Sequence, residues 1–258
     1  MKYKMTVLLA CALLLSNGWA WAADKNGDVL PRRFSDAMTW NLQNRVEDIT
    51  ITKVAVPSNP ASRPGAAEKG KAPSLPGQVS QGSAARNVTE KGVLENQVFG
   101  STGNDENALR VTGASVTLKN VEIMKEEGTS SSTENGDFYG MNAALLATGG
   151  ARVTVEDSAV HSAALNGNGL FSYGKGTMIS AKNVTITTEG SHSGGLQTTG
   201  GALTEAENVT VSTAGNSSAA IRSDRGGGTV LVKGGTFRTE GYGSPAVYST
   251  AEIGRAHV

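Results

Sequence analysis

Apolar and polar residues alternate in short runs through much of the chain after residue 105. Runs such as "SVTLKNVEI" (115–123) and "TVLVKGGTF" (229–237) carry an apolar residue at nearly every second position. A period of two predicts β-strands with one buried face. Gly and Asn separate the runs, and no helical pattern interrupts them. The sequence therefore predicts an all-β protein of many short strands.

These runs recur with a period of 25–26 residues, apart from one longer interval that contains an insert at 124–141. Strand-only repeats of this length stack as a parallel solenoid, with one repeat in each coil. The predicted architecture is a single-stranded, right-handed parallel β-helix. The first strand of each repeat has an aliphatic residue at its third aligned position: Leu109, Leu145, Leu170, Leu196, Ile221 and Val247.

Stacking places equivalent residues of successive coils about 4.8 Å apart, so each column of the alignment must be chemically compatible. Two columns are apolar and are predicted to line the interior. One comprises Leu118, Val155, Ala181, Ala206 and Val232, and the other comprises Ile123, Val160, Ile186, Val211 and Phe237. A third column alternates in charge at every step and is predicted to face outward: Lys119, Glu156, Lys182, Glu207 and Lys233.

The column that follows the charged one is composed of residues that tolerate left-handed backbone at a turn. Stacked amides there can donate to one neighbouring coil and accept from the other, which forms a ladder. The expected ladder comprises Asn120, Asp157, Asn183 and Asn208, and Gly234 takes the same position in the last complete repeat.

The aliphatic columns, the Asn ladder and the coil length resemble those of right-handed parallel β-helix (pectin-lyase-like) proteins. The stretches "SAAIRSDRGGGTV" (218–230) and "GSPAVYSTAE" (243–252) resemble exported β-helix proteins of unknown function from bacteria. The resemblance covers about residues 105–252. It implies the fold and an adhesin-like role, but it implies no particular activity.

The chain divides into four segments by composition. Residues 1–22 have the charge, apolar run and A-x-A site of a signal peptide. Residues 23–91 form an N-terminal segment with a Pro/Ala/Ser-rich linker, and residues 92–252 form the β-helix. The pattern breaks after residue 252, and "IGRAHV" (253–258) can be encoded by one frame of a common sequencing adapter. We therefore expect a truncated β-helix with a non-native tail.

Charge and cysteine content limit the compartment and the partners. Lys and Arg number 23 and Asp and Glu also number 23, so nothing in the net charge favours nucleic acid. No stretch is long enough to span a bilayer. The single cysteine, Cys11, lies in the signal segment, so the mature chain needs no disulfides. We expect a monomer that is secreted or displayed on the surface of a bacterium.

The repeats contain no convincing catalytic constellation. Asp224 stands between Arg222 and Arg225, as in a local ion pair at a turn. His161 and His192 have no partner acid or nucleophile in the aligned columns. No metal site is expected, although oxygen ligands in "TGNDENA" (102–108) would suit Ca²⁺ if they converged. A capping turn is the preferred interpretation of that stretch, and no other cofactor is expected.

The outward residues of the first strand offer the strongest candidate for binding. Phe171 and Tyr173 are predicted to point outward beside Leu146, and an exposed aromatic pair suits a ligand surface. Either these side chains bind sugar rings, or the insert at 124–141 folds back and covers them. Arg222, Asp224 and Tyr248 continue the same surface along the predicted solenoid.

These observations favour an exported or surface-displayed, non-enzymatic module that binds glycans or host surfaces, as an adhesin does. Two alternatives remain open at this point. One is a polysaccharide lyase or glycoside hydrolase of the β-helix class, which paired acids on adjacent coils would favour. The other is a structural spacer within a larger surface protein.

Overall fold

The computed structural model describes residues 79–250, together with strands at 19–23, 29–33, 45–47 and 50–53. Nearly all regular structure in these residues is strand, and most of the strands pair in parallel. The predicted all-β parallel solenoid with coils of 25–26 residues is therefore confirmed. The first 18 residues, most of the linker and the tail at 253–258 lie outside the described residues.

The chain forms two compact units, Met1–Met38 and Thr39–Val258. The first contains an antiparallel pair, β1 (Trp19–Ala23) and β2 (Val29–Arg33), in which Trp19 lies opposite Arg33. The second contains the solenoid, and its coils present three strand faces.

The first face is a seven-stranded parallel sheet in which strands of successive coils are neighbours. Its first strand begins at Ser83, earlier than the boundary near Gly92 that the repeat pattern predicts. The strands are β5 (Ser83–Val88), β8 (Glu106–Thr112), β11 (Leu145–Thr148), β14 (Leu170–Tyr173), β17 (Leu196–Thr199), β19 (Ile221–Ser223) and β21 (Val247–Ser249).

The second and third faces meet at a corner and share two long strands, β18 (Ala202–Thr213) and β20 (Gly228–Thr239), which run through the corner. The shorter strands of the second face are β6 (Gly92–Glu95), β9 (Ser115–Lys119), β12 (Arg152–Glu156) and β15 (Met178–Lys182). Those of the third face are β7 (Val98–Ser101), β10 (Glu122–Lys125), β13 (Ala159–Ser162) and β16 (Thr185–Thr188).

Strand pairing reproduces the register that the columns predict. Val155 pairs with Leu118 and Ala181, and Val160 pairs with Ile123 and Ile186. These side chains are buried within one continuous interior cluster. Each fully buried aliphatic side chain stabilises the fold by about 1.5–3 kcal/mol, as an upper estimate. The interior columns therefore explain how a chain without disulfides stabilises its coils.

The alternating charged column follows the same register on the outside. It begins at Glu95, which pairs with Lys119, and continues through the strands as predicted. Lys182 Nζ lies 3.5 Å from Glu207 Oε1, with both side chains about half exposed. An exposed pair of this kind contributes about 0–1 kcal/mol, so the alternation mainly avoids repulsion between coils.

The corner between the second and third faces is built from left-handed residues. The φ angles of Asn120, Asp157, Asn183 and Asn208 lie between 49° and 53°. Asn and Asp tolerate this conformation better than other residues with a Cβ atom, which explains the repeated choice. Asn96, which the repeat pattern did not reveal, takes the same position one coil earlier, with a φ of 54°.

Two strands from before the linker pair with the outer edge of β20. They are β3 (Arg45–Glu47) and β4 (Thr50–Lys53), and both run parallel to β20. The sequence placed these residues in the N-terminal segment, without a role in the solenoid. They instead extend the second and third faces by one further strand each.

The insert between β10 and β11 carries the helix α1 (Thr133–Tyr139). Ser132 caps its first turn by accepting a hydrogen bond from the Asn135 amide, and Gly140 ends it in a left-handed conformation. Within the described part of the chain, no helix is long and apolar enough to cross a membrane.

Candidate functional site

The insert covers the outward side of the first face, so the expectation of an exposed aromatic pair was wrong for Phe171. Phe171 and Leu146 are fully buried and pack with Ala143 in a cluster separate from the interior core. Tyr173 is partly buried, and its ring meets that of Tyr139 edge-on at 5.5 Å. Of the two alternatives open from the sequence, the structure has the one in which the insert folds back.

Side chains of the solenoid hold the insert by its main-chain carbonyl groups. The last carbonyls of a helix lack partners within the helix, so they need donors from elsewhere. Asp137 O accepts from Gln197 Nε2 at 2.9 Å, and Phe138 O accepts from Thr199 Oγ1 at 2.8 Å. Gly140 O accepts from Asn107 Nδ2 at 2.8 Å. These donors fix the helix across several coils.

Asp137 lies at the centre of a polar cluster under α1 and is buried, with only 8% of its surface exposed. Its Oδ1 accepts from Asn166 Nδ2 at 2.9 Å and lies 3.8 Å from the Arg222 guanidinium. Its Oδ2 lies 3.2 Å from His192 Nδ1. The aligned columns contain no partner acid for His192, because this acid comes from the insert and not from a neighbouring coil.

The hydrogen bond that the His192 ring makes to Asp137 raises the pKa of His192 above its ordinary value, although burial acts in the opposite direction. Asp137 also attracts the protonated ring, while Arg222 repels it. His192 remains about one-third exposed by its side chain, so water reaches the ring. The His192 ring thus contacts both the insert and the solvent.

Arg222 links Asp137 to the far end of the same surface. Its guanidinium pairs with Asp224 Oδ2 at 2.6 Å and lies 5.4 Å from the Phe138 ring and 5.5 Å from the Tyr248 ring. Burial is the main cause that raises the pKa of Tyr248. The ion pair of Arg222 and Asp224 is thus local, as the sequence suggested, and its guanidinium also stacks on the Phe138 ring of the insert.

Arg225 contacts α1 of the insert from a partly exposed position. Its guanidinium lies 3.9 Å from the Phe138 ring centroid and forms an ion pair with Glu134 in the first turn of α1. A cation over an aromatic face is stabilising, and more so where water is partly excluded. All six binding candidates from the sequence lie in this insert interface: Leu146, Phe171, Tyr173, Arg222, Asp224 and Tyr248.

The acidic stretch before β8 is engaged in turn contacts. Asn104 Oδ1 accepts from the Thr129 amide at 2.9 Å, and Asp105 Oδ1 accepts from the Ser131 amide at 2.7 Å. Glu106 Oε2 accepts from the Ser101 hydroxyl at 2.7 Å. The Asn104 and Asp105 oxygens thus anchor the insert. The described residues contain no group of three or more acids, histidines or cysteines that could hold a metal ion.

Lys125 is a buried cation that the sequence did not single out. Its side chain is inaccessible, and Nζ donates to Ser101 Oγ at 3.1 Å and to the Gly103 carbonyl. Burial lowers its pKa to about 8, partly offset by the charges of Glu106 and Asp105. Lys125 pairs with Ser101 and Ser162, so it occupies a position at which both neighbouring coils carry serine.

A second feature lies at the corner between the second and third faces, where an open groove crosses several coils. Ladder amides form one wall: Asn120 Nδ2 donates to Asn96 Oδ1 at 2.6 Å, and Asn183 Nδ2 donates to Asp157 Oδ1 at 2.9 Å. A further bond of 2.8 Å joins Asn208 Nδ2 to Asn183 Oδ1. The sequence identified the ladder but not the groove beside it.

The other wall of the groove comes from the first residues of the third-face strands. Val98, Glu122, Ala159 and Thr185 line it, and all four are exposed. Val98 is one of the most exposed large apolar residues of the described chain, at 66%. The groove therefore combines a row of amides with a row that includes apolar surface.

No family model, curated protein or solved structure matches this chain. The function must consequently be argued from these two features, the insert interface and the corner groove.

Proposed function

We propose that the protein is an exported or surface-displayed β-helix module that binds uncharged glycan chains in the corner groove. The observation that carries the proposal is the open groove along the exposed amide ladder. The fold supports a binding module, because a solenoid presents an extended surface built from repeated elements.

The spare hydrogen-bonding capacity of the ladder supports a polyhydroxyl ligand. Each Asn side chain has two donor hydrogens and two acceptor lone pairs, and the contact with one neighbouring coil uses only part of them. Asn120, Asp157 and Asn183 are exposed. Because the coils repeat at about 4.8 Å, the groove offers donors and acceptors at regular intervals along its length. A chain of sugar units can meet such a row with successive hydroxyl groups.

The charge of the groove favours an uncharged ligand over an acidic one. Glu122 and Asp157 line it, and none of its lining residues is Lys or Arg. An acidic polysaccharide would bring its carboxylates toward these groups without a cation to compensate them. Apolar surface at Val98 and Ala159 instead suits the less polar faces of sugar rings.

The insert interface supports a structural role more than catalysis. A general base needs a free site toward its substrate, yet both Asp137 oxygens face side chains of the solenoid. Arg222 is held between Asp137 and Asp224 with only 11% of its side chain exposed. We therefore rank the polysaccharide lyase or hydrolase alternative below the binding module.

The test compares two arginine substitutions on the same strand. Thr185→Arg places a long cation in the groove, whereas Thr187→Arg adds the same group two residues later at an exposed position outside it. We expect Thr185→Arg to weaken binding to uncharged polysaccharides by about ten-fold or more, with Thr187→Arg unchanged. Affinity electrophoresis against neutral and acidic polysaccharides measures this.

Two results would contradict the proposal. One is wild-type protein that is not retarded by any neutral polysaccharide. The other is equal binding by Thr185→Arg and Thr187→Arg, which would move the ligand site away from the groove. Melting curves of both variants confirm that the coils remain intact.

A further inference from the structure

The segment 45–53 carries a further copy of the solenoid's own corner sequence. Residues 46–51 read "VEDITI", and they match "VEDSAV" at 155–160 in their first three residues and in having an aliphatic residue at the sixth. The corner phrase "LKNVEI" at 118–123 has the same order of apolar, charged, Asn or Asp, and final apolar residue. The segment therefore has the sequence of a coil, although it precedes the coils in the chain.

The register of this segment on β20 continues the interior columns. Val46 pairs with Val232, and Ile51 pairs with Phe237. Both partners on β20 are buried. Thr50 and Thr52 pair with Thr236 and Arg238, which are exposed. The segment is thus aligned on the edge as the next coil would be, and the pairing is not a chance contact between two strands.

Charge distinguishes this edge from the opposite end of the solenoid. Glu47 pairs with Lys233, which extends the alternation of Glu207 and Lys233 by one step. At the other end the outermost member of the same column is Glu95, on β6. A glutamate there would meet a like charge at the directly opposite position, which is destabilising. The column therefore selects the β20 edge for this segment.

We propose that the edge of β20 is a strand-acceptor site that recognises the corner phrase, and that residues 45–53 of a second copy of this chain occupy it by exchange. Exposed parallel edges bind extended segments through main-chain hydrogen bonds, and alternate side chains provide the specificity. Between Lys53 and Val79 the sequence has 25 residues (54–78), five of them proline. A connection of this length lets identical segments exchange between copies.

The chain's own segment competes with that of a second copy. A tethered segment has an effective concentration of about millimolar, so exchange is favoured at high protein concentration. The site is independent of the glycan groove, since the groove is lined by earlier coils.

The first experiment uses a fluorescent peptide with the sequence of residues 43–54 and the full chain carrying Val46→Asp and Ile51→Asp. These aspartates fall in the interior columns, so they release the chain's own strand. We expect the peptide to bind this variant at least ten-fold more tightly than it binds the wild type, whose edge is occupied. A peptide with Glu47→Lys should bind about five-fold more weakly, because it places a lysine against Lys233.

The matched control is the chain with Thr50→Asp and Thr52→Asp, which carries the same two added charges on β4, at positions that pair with exposed residues of β20. This control should resemble the wild type in peptide binding.

Hydrogen exchange of the Val232–Thr239 amides should become faster in the Val46→Asp and Ile51→Asp chain, and the peptide should slow it again. Failure of the peptide to bind, or equal binding of the Glu47→Lys peptide, would overturn the acceptor site.

The second experiment tests the exchange itself. Sedimentation of the wild-type chain over a wide concentration range should reveal a dimer. The Val46→Asp and Ile51→Asp chain should not form this dimer, and excess peptide should dissociate it. If the wild type stays monomeric at every concentration while the peptide still binds, the site exists but exchange between copies does not. A dimer that persists in the variant would place the contact on another surface.

Discussion

Asn and Asp residues form the left-handed corner between the second and third faces in successive coils. Asn120, Asp157, Asn183 and Asn208 adopt a conformation that disfavours most side chains, so the sequence must repeat Asn or Asp at this step. Their spacing, together with the alternating Lys and Glu beside them, predicts the register of the coils from the sequence alone. Both signals are local and periodic, which is why sequence reasoning could detect them.

The residues of the insert interface show where such reasoning ends. Asp137 and His192 are 55 positions apart, and Asp137 lies in a segment that no other repeat contains. Without an equivalent in another coil, the insert could not be placed in a column. Phe171 was correctly predicted to point out of the coil, but its burial depends on this insert.

The contact between His192 and Asp137 should make stability depend on pH. Because the folded pKa of His192 is raised above the unfolded value of 6.5, its stabilising effect is complete below that value. The effect is lost as the pH rises through the folded pKa. His192→Asn removes the titration and keeps a residue that tolerates the left-handed backbone at this site, where φ is 58°.

We therefore expect the melting temperature of the wild type to fall relative to His192→Asn as the pH rises above about 6.5. His161→Asn is the control, since His161 lies on β13 in the third face, whereas α1 covers the first face, and it should keep the wild-type profile. Parallel profiles for the wild type and His192→Asn would show that the ion pair does not form in solution.

At the scale of elements, α1 and its connections depend on one close approach. A Cβ atom added at Gly140 would lie 2.5 Å from Leu146 Cδ1 and 3.1 Å from the Phe171 ring. The helix therefore ends on a glycine for two reasons, its left-handed φ of 80° and the packing of its backbone on these side chains.

Gly140→Ala should destabilise the protein by about 2–4 kcal/mol, of which about 1–2 kcal/mol is the backbone term and the rest is overpacking. Gly150→Ala separates the two terms, because Gly150 has a φ of 81° with no atom near the added Cβ. Its cost should be the backbone term alone. Chemical denaturation of the three proteins measures the difference, and equal costs would mean that the insert does not pack as described.

The two strands before the linker, β3 and β4, show a different limit of prediction at the element scale. The phrase "VEDITI" is visible in the sequence, but the linker separates it from the periodic repeats. A parallel solenoid permits this arrangement because each edge recognises side chains and not chain order. The strands that lie next to β20 therefore come from a distant part of the sequence.

At the scale of the whole molecule, each coil of a solenoid contacts only its neighbours, so stability is normally a sum of nearest-neighbour terms. The insert departs from this rule. At one end, its Gly140 carbonyl accepts a hydrogen bond from Asn107 on β8. At the other end, its Phe138 ring stacks on Arg222 of β19. It thereby couples coils that share no direct contact.

Replacing residues 126–144 by the short connection 163–169 of the following coil tests this coupling. The replacement keeps the coil register and exposes Leu146 and Phe171, which should cost about 3–6 kcal/mol. We also expect a broader denaturation curve, with a smaller dependence of the unfolding free energy on denaturant concentration, since the insert no longer connects the coils. Circular dichroism against denaturant measures both, and an unchanged slope would show that the insert does not couple the coils.

The alternating charged column also limits how the gene for this protein could have grown. Lys182 and Lys233 lie 51 residues apart, as do Glu156 and Glu207, so the pattern repeats after two coils and not after one. A recombination event that gained or lost a single coil would bring two like charges together, whereas a gain or loss of two coils would leave every neighbour opposite in sign. In its lineage, length variants should therefore differ by even numbers of coils.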